Sequence, residues 1–178
     1  MKTPKIKTYV LMVSTKYPSY HKKKGERTKF VCKILHTINY DGGIEMYNIC
    51  GNECKSSCER RMLDQKLHTI RANYPLWEKR IKEVQEGKAV LSIRYWSGKP
   101  YNSKQVEVCQ LDKDSGIGIQ KLEFDSLLGI FIDSYDSDIT KKDLAQNDGL
   151  SLDDFKEWFK PYDLSEPMAV IWFVNKRY

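Results

Sequence analysis

KLHTIRANYPLWEKRIKEVQEGKAVLSIRYW, residues 66–96, is the stretch whose reading decides the fold. Asn73 stands where a helix N-cap belongs, Pro75 suits a first turn and Gly87 a C-terminal stop. Between them Trp77, Ile81 and Val84 recur at helical spacing, which predicts a helix over 74–86. The β-branched and aromatic residues from Ala89 to Trp96 then predict a strand. Working outward, further strands are expected over Gln105–Leu111, Ile117–Phe124 and Leu127–Ile132, with WSGKPYNS and DKDSG as turns. A first strand is expected over Lys5–Ser14, followed by the loop KYPSYHKKKGER and a short helix over Thr28–Leu35. Another short helix is expected over Lys141–Gln146, and a further one from Ser151, where Ser151 and Asp154 form a capping-box-like pair. The unbroken apolar run MAVIWFV, residues 168–174, suits a central strand. Trp77, Trp158 and Trp172 are expected in the core.

Closely spaced strands with a few helices give an α+β or barrel-like class, read as one domain over residues 1–178. Residues 36–62, polar and cysteine-containing, read as an insertion, with a hairpin expected at Asp41-Gly42-Gly43. The βαβα alternation of a dinucleotide-binding fold is absent, and GIG at 116–118 lacks the residues of a phosphate loop.

The 178 residues are 30% charged and 40% hydrophobic, which excludes disordered, collagen-like and membrane-spanning classes. MKTPKIKTYV has no apolar leader core, so a cytoplasmic location without membrane contact is expected. The net charge of +6 is unevenly spread. Residues 1–35 hold ten Lys/Arg against the single acid Glu26, whereas residues 112–178 hold eight against fourteen acids. A basic front half suits a polyanion such as nucleic acid.

An odd count of five cysteines without a leader predicts unpaired, reduced thiols. Cys50, Cys54 and Cys58, with His36 or His68, form the alternative: a Cys3His zinc site.

KLHTIR, residues 66–71, carries the functional reading. Lys66 and Thr69 are three apart, so a helical turn would bring ammonium and hydroxyl to one side. From Thr69 onward an extended chain places Thr69 and Arg71 on one face. A cation, a hydroxyl and a guanidinium fork suit a phosphate, a carbonyl or a base edge. His68, between them on the opposite face, is assigned to packing or the surface. Trp96, Lys99 and Tyr101 of WSGKPY offer a stacking platform for an unpaired base, and Arg94 a phosphate contact. Lys22, Lys23 and Lys24 form a salt-sensitive backbone contact.

With these residues the sequence resembles the ASCH domains, a branch of the PUA-like β-barrel superfamily. Their hallmark is Gly-x-Lys-x-x-Thr-x-Arg at a helix-to-strand junction; Lys66, Thr69 and Arg71 match it, and Asp64 stands at the Gly position. LAQNDGLSLDDFKEWF, residues 144–159, followed by a hydrophobic strand, resembles the family's acidic-Gly-aromatic ending. The resemblance covers most of the chain outside the insertion. It implies a PUA-like β-barrel with flanking helices, whose cleft at Lys66, Thr69 and Arg71 binds RNA or a modified nucleobase or nucleoside, without a cofactor. A bacterial branch implies an alternative, an amidohydrolase of N4-acetylcytidine. Carried across, Thr69 is the nucleophile, Lys66 its base and Asp148 the carboxylate that orients Lys66, one methylene shorter than the family's Glu. A third alternative is a protein-interaction adaptor that uses the insertion to hold a protein partner.

Overall fold

A strand that is apolar at every position must be covered on both faces. The computed structural model describes residues 6–38, 65–125 and 129–178. Its strands and helices run β1 (Lys7–Met12), α1 (Phe30–Thr37), β2 (His68–Arg71), α2 (Tyr74–Gln85), β3 (Ala89–Trp96), β4 (Gln105–Leu111), β5 (Gly118–Asp125), β6 (Gly129–Ile132), β7 (Tyr135–Asp136), α3 (Lys141–Asn147), α4 (Leu152–Phe159) and β8 (Met168–Trp172). Among the described residues they form two sheets, of order β1-β3-β4 and β2-β8-β5-β6-β7. β1 runs parallel to β3, and every other pairing is antiparallel. The class is therefore mixed α+β.

All five residues of β8 are buried between β2 and β5. Alternation sends Ala169, Ile171 and Phe173 into one core with Leu11, Ile34, Trp77, Ile81 and Leu91. Met168, Val170 and Trp172 enter a second core with Phe30, Leu122, Leu144, Phe155 and Trp158. Each fully buried Val, Leu or Ile contributes about 1.5–3 kcal/mol. Burial of both faces is the reason MAVIWFV carries no polar residue. Trp77, Trp158 and Trp172 are all core residues, as expected.

The helix ends follow their capping residues. Asn73 accepts the Leu76 N–H at 3.2 Å, Thr140 and Asp143 make a full capping box, and Ser151 accepts the Asp154 N–H at 3.1 Å. Boundaries differ by a few residues: β1 is shorter than Lys5–Ser14, and α1 begins at Phe30 and runs through Thr37. The hairpin at 41–43 and Cys50, Cys54 and Cys58 lie outside the described residues. One reading is corrected: Cys32 is disulfide-bonded rather than a reduced thiol. Cys109 is free, and burial pushes its thiol up to about 12.

Candidate functional site

The backbone before β2 is extended, not a helical turn. Leu67 N–H donates to Asn147 O at 2.8 Å and Phe173 N–H to Leu67 O at 3.0 Å, which carries the β2–β8 ladder back past His68. In extended chain an offset of three puts two side chains on opposite faces. The expected pairing of Lys66 with Thr69 through a helical turn is thereby corrected. Lys66 instead joins the Ile70 N–H at one acceptor, Asp148 Oδ1, at 2.9 and 3.2 Å, and His68 Nδ1 faces the same oxygen at 3.6 Å without a hydrogen bond.

Asp148 stands at the C-cap of α3, where backbone carbonyls lack helical donors. Lys66 Nζ donates to the Asp148 carbonyl at 2.6 Å and Lys33 Nζ to the Gly149 carbonyl at 2.7 Å. Both cations sit at the negative end of the helix, where they are stabilised. Gly149, at φ +75°, supplies the left-handed turn, and a Cβ there would come within 3.1 Å of Lys66 Cβ. The Phe30 ring lies 4.1 Å from Lys66 Nζ, and Thr37 Oγ1 accepts the Lys66 N–H at 3.1 Å.

Lys66 is 0% exposed. Burial lowers its amine to about 8, with Arg71 and Lys33 adding to the effect and Asp148 opposing it. Burial pushes the Asp148 carboxyl up, but Lys66 and His68 together outweigh it and hold the group below its ordinary value. Burial also lowers His68, so its imidazole is neutral at pH 7. Tyr178 Oη accepts from Asn147 Nδ2 at 3.0 Å and lies 2.6 Å from His68 Nε2. That network assigns the tyrosine proton to Nε2 and the imidazole proton to Nδ1, which faces Asp148.

Thr69 and Arg71 share the other face of β2, as expected, opposite Ile171 and Ala169 of β8. Arg71 Nη2 donates to Met12 O at 2.7 Å, at the end of β1. Burial lowers the guanidinium from its ordinary value, yet it stays charged. Thr69 is 2% exposed, and among the described residues nothing hydrogen-bonds its hydroxyl. Lys66 and Asp148 thus converge, and Thr69 stands apart from them.

The other expected residues divide. Tyr101 is 88% exposed with its ring centroid 5.5 Å from that of Trp96, and Lys99 is exposed beside them. Lys22 and Lys24 are exposed, but Lys23 is committed to Asp154 at 2.7 Å. Arg94 is held by Ser92 Oγ at 2.8 Å and Glu107 at 3.4 Å, so it is a sheet ion pair before it is a phosphate contact. His68, Tyr178, Phe30 and Lys33 complete the Lys66–Asp148 centre, and local spacing signals none of them. The Asp148-Gly149 dipeptide, a helix stop, is the one local cue to where the centre forms.

Comparison with protein-family models, with curated proteins and with solved structures returns no match for this chain.

Proposed function

We propose that the chain is a PUA-like protein of ASCH type that binds RNA or a modified nucleobase at Thr69 and Arg71. The observation that carries this reading is the state of Arg71. Its two hydrogen bonds go to the carbonyls of Ile70 and Met12, and among the described residues no carboxylate forms an ion pair with it. A permanently charged, half-buried fork that feels the Asp148 carboxylate without pairing with it suits a phosphate or a base carbonyl. Lys66 acts here by position: bound to Asp148, it ties the end of α3 to the start of β2 and so fixes the strand that presents Arg71. On this reading the two sheets are the halves of a PUA-like barrel, and Arg71, beside Met12 at the end of β1, is the group that meets the ligand, with Thr69 buried on the same face of β2. The test is affinity for single-stranded RNA and for modified nucleosides across a salt series. Arg71→Gln is expected to weaken binding about tenfold and flatten the salt dependence; a wild-type profile already flat in salt removes the reading.

A second reading, amide hydrolysis of an N4-acylated cytidine, is favoured by the Lys66 amine. With its pKa at about 8, roughly a tenth of it is neutral at pH 7, enough for a general base. Thr69 Oγ1 would bond to the acyl carbon as its proton passes to Lys66. The C–N bond would then break, the proton would go to the exocyclic nitrogen, and water would release the acid from Thr69. The step requires the Thr69 hydroxyl to reach Lys66 from the other face of β2, so the passive reading stands first. Incubation with N4-acetylcytidine decides between them: cytidine formed by the wild type and lost in both Lys66→Ala and Thr69→Ala establishes the hydrolase. The adaptor reading depends on the insertion, of which residues 39–62 lie outside the described residues.

A further inference from the structure

The last third of the chain is acidic, yet three of its lysines gather around one groove. Lys141 opens α3, and Lys156 and Lys160 stand one turn apart at the end of α4. All three are exposed and line a groove of about 170 Å³ that no carboxylate lines. Among the described residues none of the three ammonium groups forms an ion pair or a hydrogen bond. Lys7, Lys23, Lys82, Lys88, Lys113 and Lys121, by contrast, are each paired with a carboxylate.

The interior of the groove is aromatic. Phe155 and Phe159 lie on one stripe of α4 with centroids 4.7 Å apart, and Tyr162 continues the row 5.1 Å from Phe159. Phe124 of β5 also lines it. Tyr162 is 36% exposed, so its ring is available for contact.

We propose that this groove binds single-stranded nucleic acid, one base lying against the Tyr162 and Phe124 rings and neighbouring phosphates on Lys141, Lys156 and Lys160. The site uses none of the residues of the Lys66–Asp148 centre and does not depend on the reading given to Thr69 and Arg71. Size and chemistry select the occupant. A space of about 170 Å³ takes one ring system and is well below the roughly 300 Å³ at which sites for drug-sized ligands begin. An acidic peptide would match the charge, but its backbone N–H and C=O groups would enter a lining whose side chains are rings, a leucine and cations. A base needs only its faces covered and keeps its polar edge in water. The net charge of +6 draws such a strand toward the protein. Recognition through ring faces and point charges is tolerant of sequence.

The test uses the full chain and a short oligouridine carrying 2-aminopurine, whose fluorescence is quenched on stacking. Wild type is expected to quench it, and Tyr162→Ala to lose the quench and bind about tenfold more weakly. Replacing Lys141, Lys156 and Lys160 together by Gln should lower the slope of log affinity against log salt by about 2, as three single-strand phosphate contacts require. Replacing the three lysines should leave the affinity for a modified nucleoside at Arg71 unchanged, which separates this site from the cleft. An unchanged slope in the triple variant, or an unchanged quench in Tyr162→Ala, overturns the proposal. So does uridine monophosphate binding as tightly as the oligomer, or an acidic peptide binding at this groove where the oligouridine does not. All four substituted side chains are at the surface, and Tyr162→Ala gives an independent readout if the triple variant melts early.

Discussion

Lys66 Nζ lies 2.9 Å from Asp148 Oδ1 and 2.6 Å from the Asp148 carbonyl oxygen, so one ammonium joins the start of β2 to the end of α3 across 82 residues of sequence. The pair is sealed from water: the lysine side chain is 1% exposed and the aspartate 5%. Its consequences for stability, pH response and ligand binding can each be measured.

Removing one partner strands the other as a buried charge. Lys66→Met and Asp148→Asn are each expected to cost about 3–5 kcal/mol in urea unfolding. The double variant should cost clearly less than the two together, because neither charge is then left alone. Single variants within 1 kcal/mol of wild type would mean that water reaches the pair.

Stability should rise with pH where Lys66 titrates. The folded amine is at about 8 against an ordinary 10.5, so between these values the unfolded chain holds more protons and the slope of unfolding free energy against pH is positive. Below 8 both states are protonated and the cost of burying the charge is present in full. Wild type should therefore gain on Lys66→Met as pH climbs through this window. Parallel curves for the two proteins would place the titration elsewhere.

Gly149 meets two demands at once, a φ of +75° and close approach to the side chains of Lys66 and Lys33. Gly149→Ala is expected to cost about 1–2 kcal/mol from the left-handed backbone alone. Thermal or urea unfolding checks this, and a neutral result would show that the turn relaxes.

Arg71 and Arg94 should part company in RNA binding. Arg94 is already paired with Glu107, whereas the hydrogen bonds of Arg71 go only to carbonyls. Arg71→Gln is expected to lower affinity about tenfold, the scale of a charged hydrogen bond, while Arg94→Gln leaves it within about twofold. Equal losses would indicate general attraction to a basic surface.

Tyr101 sits at φ +65° with its ring in water. Glycine adopts that backbone freely, so Tyr101→Gly should leave stability unchanged and lower RNA affinity by about 1–3 kcal/mol through lost stacking. Unchanged affinity would reduce the Trp96–Tyr101 pair to a hairpin contact.

What the sequence by itself determined is local or periodic. Asn73, Thr140 and Ser151 mark helix starts because a cap is a bond between near neighbours, legible in a few consecutive residues. MAVIWFV suits a strand covered on both faces, since a short run without a polar position has no face to turn to water. The shared face of Thr69 and Arg71 follows from a period of two. Only the tertiary structure decided the partners of Lys66. The helical turn expected to set it beside Thr69 gives way to a ladder with Phe173 and Asn147, because backbone pairing across the sheet outweighs a short turn's own preference. That extended backbone turns Lys66 toward Asp148, His68 and Phe30 and away from Thr69. The acidic last third likewise hid its basic groove: Lys141, Lys156 and Lys160 are diluted among acids in the sequence and meet only when α3 and α4 pack beside β5. Charge along a chain sums over neighbours in sequence, whereas a ligand responds to neighbours in space.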